Sequence, residues 1–164
     1  WEKFPLAASS IDTILLTHAH LDHSGYIPKL VKDGFRGHIY CSSATFDLCK
    51  ILLPDSGRIQ EEDAEQANRH GYSRHHPALP LYTEEEANES LAYFKPVDFG
   101  NLHSVEKLGI NFTLHRAGHI LGAASIRICD ENNTSILFSG DIGRFNDPVM
   151  KSPAQIQYAN YIVV

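Results

Sequence analysis

The chain has 164 residues, 43% of them apolar and 21% charged, a globular balance that excludes intrinsic disorder. Fourteen Lys and Arg against 20 Asp and Glu leave a net charge of −6, which excludes a generally basic nucleic-acid module but leaves room for a local basic groove. Apolar runs such as Ile14-Leu15-Leu16 fall far short of the roughly 20 residues a membrane span needs, so no membrane partner is expected.

In chain order, Ile11 to Leu16 reads as a short buried strand, and a polar, His-rich loop follows to Ser24. Tyr26 to Lys32 has Ile27, Leu30 and Val31 at helical spacing, with Gly34 placed to end the helix. Gly37 to Cys41 is a second short strand. Ser43 to Leu53 carries an apolar stripe of Phe46, Leu48, Ile51 and Leu52 and a cap from Ser42 or Ser43. Pro54 is expected to interrupt it, with a separate acidic helix over Asp55 to Asn68. Gly71, Pro77 and Pro80 make Arg69 to Tyr82 a surface loop. Thr83-Glu84-Glu85-Glu86 has the form of a capping box and opens a helix to about Phe94, closed by Pro96. Strands then follow at Val97–Phe99, Ile110–His115, Ala124–Cys129, Ser135–Phe138 and Tyr161–Val164. The polar turn Asp130-Glu131-Asn132-Asn133 joins two of them in a hairpin. The order is mixed α/β, with helices early and antiparallel strands late.

Ten histidines stand against a single Met and a single Trp. Cys41, Cys49 and Cys129 are scattered and odd in number, which suits a reducing compartment and buried apolar roles rather than disulfides or metal pairs. In Thr17-His18-Ala19-His20-Leu21-Asp22-His23-Ser24-Gly25, four potential ligands fall within six residues, between a strand and a helix. His18 and His20, at i and i+2 on extended chain, point the same way and can grip one metal. Asp22 and His23, where the chain turns into the helix, can address a second. Two later segments supply further ligands: Ala117-Gly118-His119-Ile120-Leu121-Gly122, a single His between glycines, and Phe138-Ser139-Gly140-Asp141-Ile142-Gly143-Arg144, an acid after a strand end.

This combination of HxHxDH, a separate His and a separate Asp resembles the metallo-β-lactamase superfamily. The Gly-His-Ile-Leu-Gly and Gly-Asp-Ile-Gly-Arg contexts resemble its β-CASP branch of RNA- and DNA-processing nucleases. The resemblance covers Ile11 to Val164 and implies an α/β fold, a partial αββα sandwich. It also implies two zinc ions: His18, His20 and His119 on one, Asp22 and His23 on the other, and Asp141 bridging both. Asp22, His23 and Asp141 would then be catalytic, and metal-activated hydroxide would cleave phosphodiester bonds of single-stranded RNA in a cytoplasmic enzyme. Arg144 follows Asp141 closely and either contacts substrate phosphate or sits in an ion pair.

Family members carry strands before this segment and a β-CASP domain after it, with further His and acidic motifs. Residues 1–164 are therefore expected to be a partial metallo-β-lactamase domain, which the opening at Trp1 and the close at Tyr161-Ile162-Val163-Val164, four residues typical of a buried strand, also suggest. The second zinc site would be incomplete, the isolated chain weakly active or inactive, and an open sheet edge available for pairing with another copy. The rivals are a thioester or lactone hydrolase of the same superfamily and a non-catalytic metal-binding fragment. His70, His75 and His76 with Arg69 and Arg74 form a positive cluster, read either as a phosphate contact or as a solvated loop. His38, His103 and His115, at strand edges, are expected to be structural.

Overall fold

A computed structural model describes residues 4–164, so Trp1 lies outside the described residues. The contacts cluster into two units. One holds the chain up to Ile14, His20–Ile39 and Asp47–Phe94; the other holds Leu15–Ala19, Tyr40–Phe46 and Lys95–Val164. The architecture is mixed α/β. Among the described residues eight strands form two sheets, of order β1-β2-β3 and β4-β5-β6-β7-β8. The first comprises β1 (Thr13–Leu15), β2 (His38–Ser42) and β3 (Phe94–Val97). The second comprises β4 (His103–Val105), β5 (Ile110–Arg116), β6 (Ala124–Cys129), β7 (Ser135–Phe138) and β8 (Tyr161–Val163).

The first unit is largely helical. Its elements include α1 (Leu21–Ser24), α2 (Ile27–Lys32), most of α3 (Ser43–His70) and α4 (Glu84–Ser90). The capping box at Thr83 forms in full: Glu86 N donates to Thr83 Oγ1 at 3.1 Å, and Thr83 N donates to Glu86 Oε2 at 2.9 Å. Glu86 also meets Lys32 of α2 at 2.8 Å. After Ser90 the chain tightens into a 3₁₀ turn, Leu91–Tyr93, and Pro96 falls inside β3 rather than closing a helix.

Pro54 does not divide α3, a single helix of 28 residues. A proline in a helix interior loses one backbone bond and costs about 3 kcal/mol, but the buried face continues across it. That face is Thr45, Cys49 and Leu53, each fully buried, followed by Gly57 and Ala67. The expected stripe was therefore rotated: Ile51 is 67% exposed.

The second unit is built on the five-stranded sheet. Strands β4 to β7 pair antiparallel, and β6 and β7 form the expected hairpin, Ile126 opposite Phe138. Asp130 Oδ1 accepts from the N–H groups of Asn132 and Thr134 and holds its turn. Phe112, Leu114, Ala124 and Ile126 form a buried cluster, with Leu15, Tyr40, Val97, Val105 and Ile128 against it. Strand β8 departs from expectation twice: it runs parallel to β7, and its Tyr161, Ile162 and Val163 are exposed on the sheet's edge. Short β4 escaped the sequence reading, and Val97–Phe99 became β3 plus an isolated bridge from Phe99 to Leu114.

His115 Nε2 on β5 is buried without a hydrogen-bond partner among the described residues. Burial, and then the nearby Arg127 guanidinium, hold its imidazole below the usual histidine range. The unfolded chain thus takes up this proton at a higher pH than the folded one does. The resulting stability is fully present above the ordinary titration near pH 6.5 and is lost as pH falls below it. We expect thermal melts to show this acid-side loss and His115→Gln to flatten it.

Candidate metal centre

Three stretches of backbone present the donors. Past β1, Leu16 N donates to Tyr40 O at 2.9 Å and Thr17 O accepts from Ala124 N at 2.8 Å. This seats His18 with its side chain fully buried. Its Nδ1 lies 3.1 Å from Thr17 Oγ1. With the ring proton on Nδ1 and donated to that oxygen, Nε2 carries the lone pair that a cation takes. His20 follows two residues on, at the N-cap of α1, where its carbonyl accepts from Ser24 N and Oγ.

The second stretch is the loop after β5. Ala117 N donates to Ala123 O and Ala123 N to Ile120 O, which closes the loop around His119. Its far end is latched: the Ser42 and Thr45 hydroxyls both donate to Gly122 O, at 2.7 and 3.0 Å. Ser42 Oγ in turn accepts from Thr45 N at 3.1 Å and so caps α3. Only glycine fits at 122: φ is +83°, and a Cβ there would stand 2.4 Å from Thr45 N.

The third stretch is the turn after β7. Ser139 N donates to Val163 O at 2.9 Å and Ser125 Oγ to Ser139 O at 2.7 Å. Two residues past Asp141, Gly143 N donates to Ala117 O at 2.9 Å and ties this turn to the His119 loop.

The donors converge. Asp141 Oδ2 lies 3.3 Å from His119 Nε2 and 3.8 Å from His18 Nε2. The His18 and His119 rings meet edge to face with centroids 5.1 Å apart. One donor atom from each of His18, His20, His119 and Asp141 lies within 4.8 Å of every other. Two donors held about 2.1 Å from one ion at tetrahedral angles stand about 3.4 Å apart, so the His119–Asp141 spacing already matches and the others need only close slightly. Three imidazoles and a carboxylate form a donor set that a borderline divalent cation accepts. Thiolate does not enter: burial, partly opposed by a hydrogen bond with Ser24, pushes the Cys49 thiol up to about 12.

Asp22 and His23 fall outside that group of four and face each other, Oδ2 to Nε2, at 3.6 Å. The Asp22 side chain is 77% exposed. Arg144 is exposed and lies close enough to Asp147 to help hold that carboxyl low, behind the N–H donors of Met150 and Val149. His70, His75 and His76 lie at the end of α3 and in the following loop. His103 is a strand residue whose Nε2 is 3.1 Å from Asp98 O. Sequence reasoning missed Thr17, Ser42 and Thr45 as supports. Ser42 was legible only as a helix cap, because its second partner lies 80 residues away.

The model of the metallo-beta-lactamase superfamily matches residues 5–160. Ribonuclease TTHA0252 of Thermus thermophilus is 30% identical over 160 residues, which cover 98% of this chain and 32% of that protein. Endoribonuclease ysh1 of Emericella nidulans is 31% identical over 148 residues, 90% of this chain and 15% of that protein. The chain thus spans about a third or less of these relatives. In fold it is similar to unliganded yeast PDE1, with a TM-score of 0.59 at 14% identity, over 88% of this chain and 38% of that one.

Proposed function

The chain belongs to the metallo-β-lactamase superfamily, and on that premise we propose that it is the metal-holding part of a β-CASP-type nuclease that hydrolyses phosphodiester bonds in single-stranded RNA. The observation that carries this reading is the convergence of His18, His20, His119 and Asp141 on one cation-sized space. The nuclease names of the relatives supply the substrate class.

In this reading His18, His20 and His119 would hold one zinc ion, Asp22 and His23 would belong to a second, and Asp141 would serve both. Ions bound at such a centre acidify a water and take up the charge that builds on phosphate oxygens. The chain's own contribution is placement. Thr17 orients the His18 ring, Ser42 and Thr45 anchor the His119 loop, and Gly143 sets the distance from that loop to Asp141. The Asp141 side chain is 42% exposed, which leaves it open to an incoming phosphodiester, and exposed Arg144 is assigned to a substrate phosphate. Residues 1–164 are read as a partial domain, flanked in the whole protein by further strands and a β-CASP domain that complete the second ion's ligands. No helix among the described residues is long and apolar enough to cross a membrane; a cytoplasmic location is part of the proposed reading. The exposed apolar edge at β8 supports pairing with a second copy.

The test is zinc titration by calorimetry on metal-free chain, with RNA, a thioester and a lactone offered to the same sample. We expect one tight equivalent of zinc, a weaker second, and slow cleavage confined to RNA. Absence of zinc binding would overturn the reading. Preferential turnover of the thioester or lactone would reassign the site to small-molecule hydrolysis. Brisk RNA cleavage by this chain would refute the incomplete second site.

A further inference from the structure

Beyond α3 the chain arches through residues 71–82 and encloses a groove of about 1120 Å³ against the helix. Helix side chains hold the arch in place. Asn68 pairs with Ala78 through both amide groups, donating to its carbonyl at 2.9 Å and accepting from its N–H at 2.7 Å. Gln60 Oε1 accepts from Leu81 N at 3.0 Å, and the buried Tyr82 hydroxyl donates to Ser56 Oγ at 3.1 Å. The concavity is therefore formed in advance. Its lining includes Asp63, Ala64 and Ala67 from the helix and Tyr72 and Leu79, 66% and 65% exposed, from the arch.

Charge divides along this groove. Arg74, His75 and His76 line the arch, are exposed, and make no ion pair among the described residues. On the outer face of α3, by contrast, Arg58 is taken up by Asp55 and Glu62. In a chain of net charge −6, these donors are left for something outside the fold. A phosphate backbone suits these donors, and a planar base suits a lining that combines the Tyr72 ring with the Asp63 carboxylate, which accepts from exocyclic amino groups.

We propose that this groove binds a single-stranded RNA segment. Its phosphates would lie along Arg74, His75 and His76, and an amino-bearing base would stack on Tyr72 with its exocyclic amine toward Asp63. The RNA assignment rests on the nuclease reading above; the groove itself does not use the metal centre.

The experiment is fluorescence anisotropy of a short labelled oligocytidylate with the 164-residue chain in the presence of a metal chelator, so that failure of the metal reading and failure of this one stay distinguishable. Tyr72→Ala, at an exposed position, is expected to weaken binding about 5- to 100-fold. Arg74→Ala is expected to reduce the slope of log affinity against log salt by about 0.7. Oligouridylate, which lacks the amine, should bind more weakly than oligocytidylate. Binding unchanged in both variants, or full displacement by a base-free polyphosphate, would overturn the proposal. So would tighter binding of the DNA counterpart, or capture of a proline-rich peptide in preference to either nucleic acid.

Discussion

Asp141→Ala is expected to lower zinc affinity at least about 100-fold, more than loss of an outer hydrogen-bond partner costs a metal site, while leaving the metal-free chain's melting temperature nearly unchanged. Asp141 supplies the only carboxylate in the group of four and sits between His119 and His18 at 3.3 and 3.8 Å. Its side chain is 42% exposed, so removing it opens no enclosed cavity. His18→Ala makes the informative contrast, because that ring is fully buried. Its loss should weaken metal binding and also destabilise the metal-free fold by about 3 kcal/mol, as large-to-small changes in a core do. Zinc at about 100 times its dissociation constant stabilises a folded chain by about 2.7 kcal/mol. Melts with and without zinc therefore read both effects at once. Equal zinc-induced stabilisation in Asp141→Ala and wild type would remove Asp141 from the centre.

Gly143→Ala is expected to damage both fold and metal binding, although no donor atom is touched. A Cβ at 143 would stand 1.8 Å from Gly118 O, 2.3 Å from Gly118 C and 2.8 Å from His119 N. These are backbone atoms, so no side-chain rotation relieves the clash. The His119 loop must move away from the Asp141 turn by more than an ångström, and the Gly143 N–H to Ala117 O bond goes with it. Overpacking of this kind costs about 2–3 kcal/mol, or about 5–10 °C in melting temperature for a chain of this size. The distinguishing readout is cobalt absorption at the centre: a displaced His119 changes coordination, whereas a uniform loss of stability does not. Gly71→Ala, where a Cβ meets nothing within 4 Å, should cost about 1 kcal/mol from its left-handed backbone alone and leave the cobalt spectrum as it was.

Elements governed by local chemistry could be read directly. The capping box at Thr83, the hairpin of β6 and β7 and the Asp130 turn each act within a few residues, and each formed where the pattern places it. Pro54 misled for an equally physical reason. Its local cost is real, but the buried face of Cys49, Leu53 and Gly57 runs through it, and packing overrides propensity. Strand β8 was misjudged because an apolar run carries no information about its direction or about which side will be covered; it lies parallel to β7 with all three residues exposed.

The same division holds at the metal centre. The spacing of His18, His20, Asp22 and His23 is visible in a single short segment because donors two residues apart on extended chain share a side by covalent geometry alone. Nothing within that segment specifies that His119 and Asp141 come within 3.3 Å of each other. That depends on an approach between two turns, close enough to exclude a Cβ at Gly143, and on two hydroxyls, from the end of β2 and the first turn of α3, closing on Gly122 O. Ligand identity is a property of residues, whereas ligand distance belongs to backbones brought together by the sheet they flank.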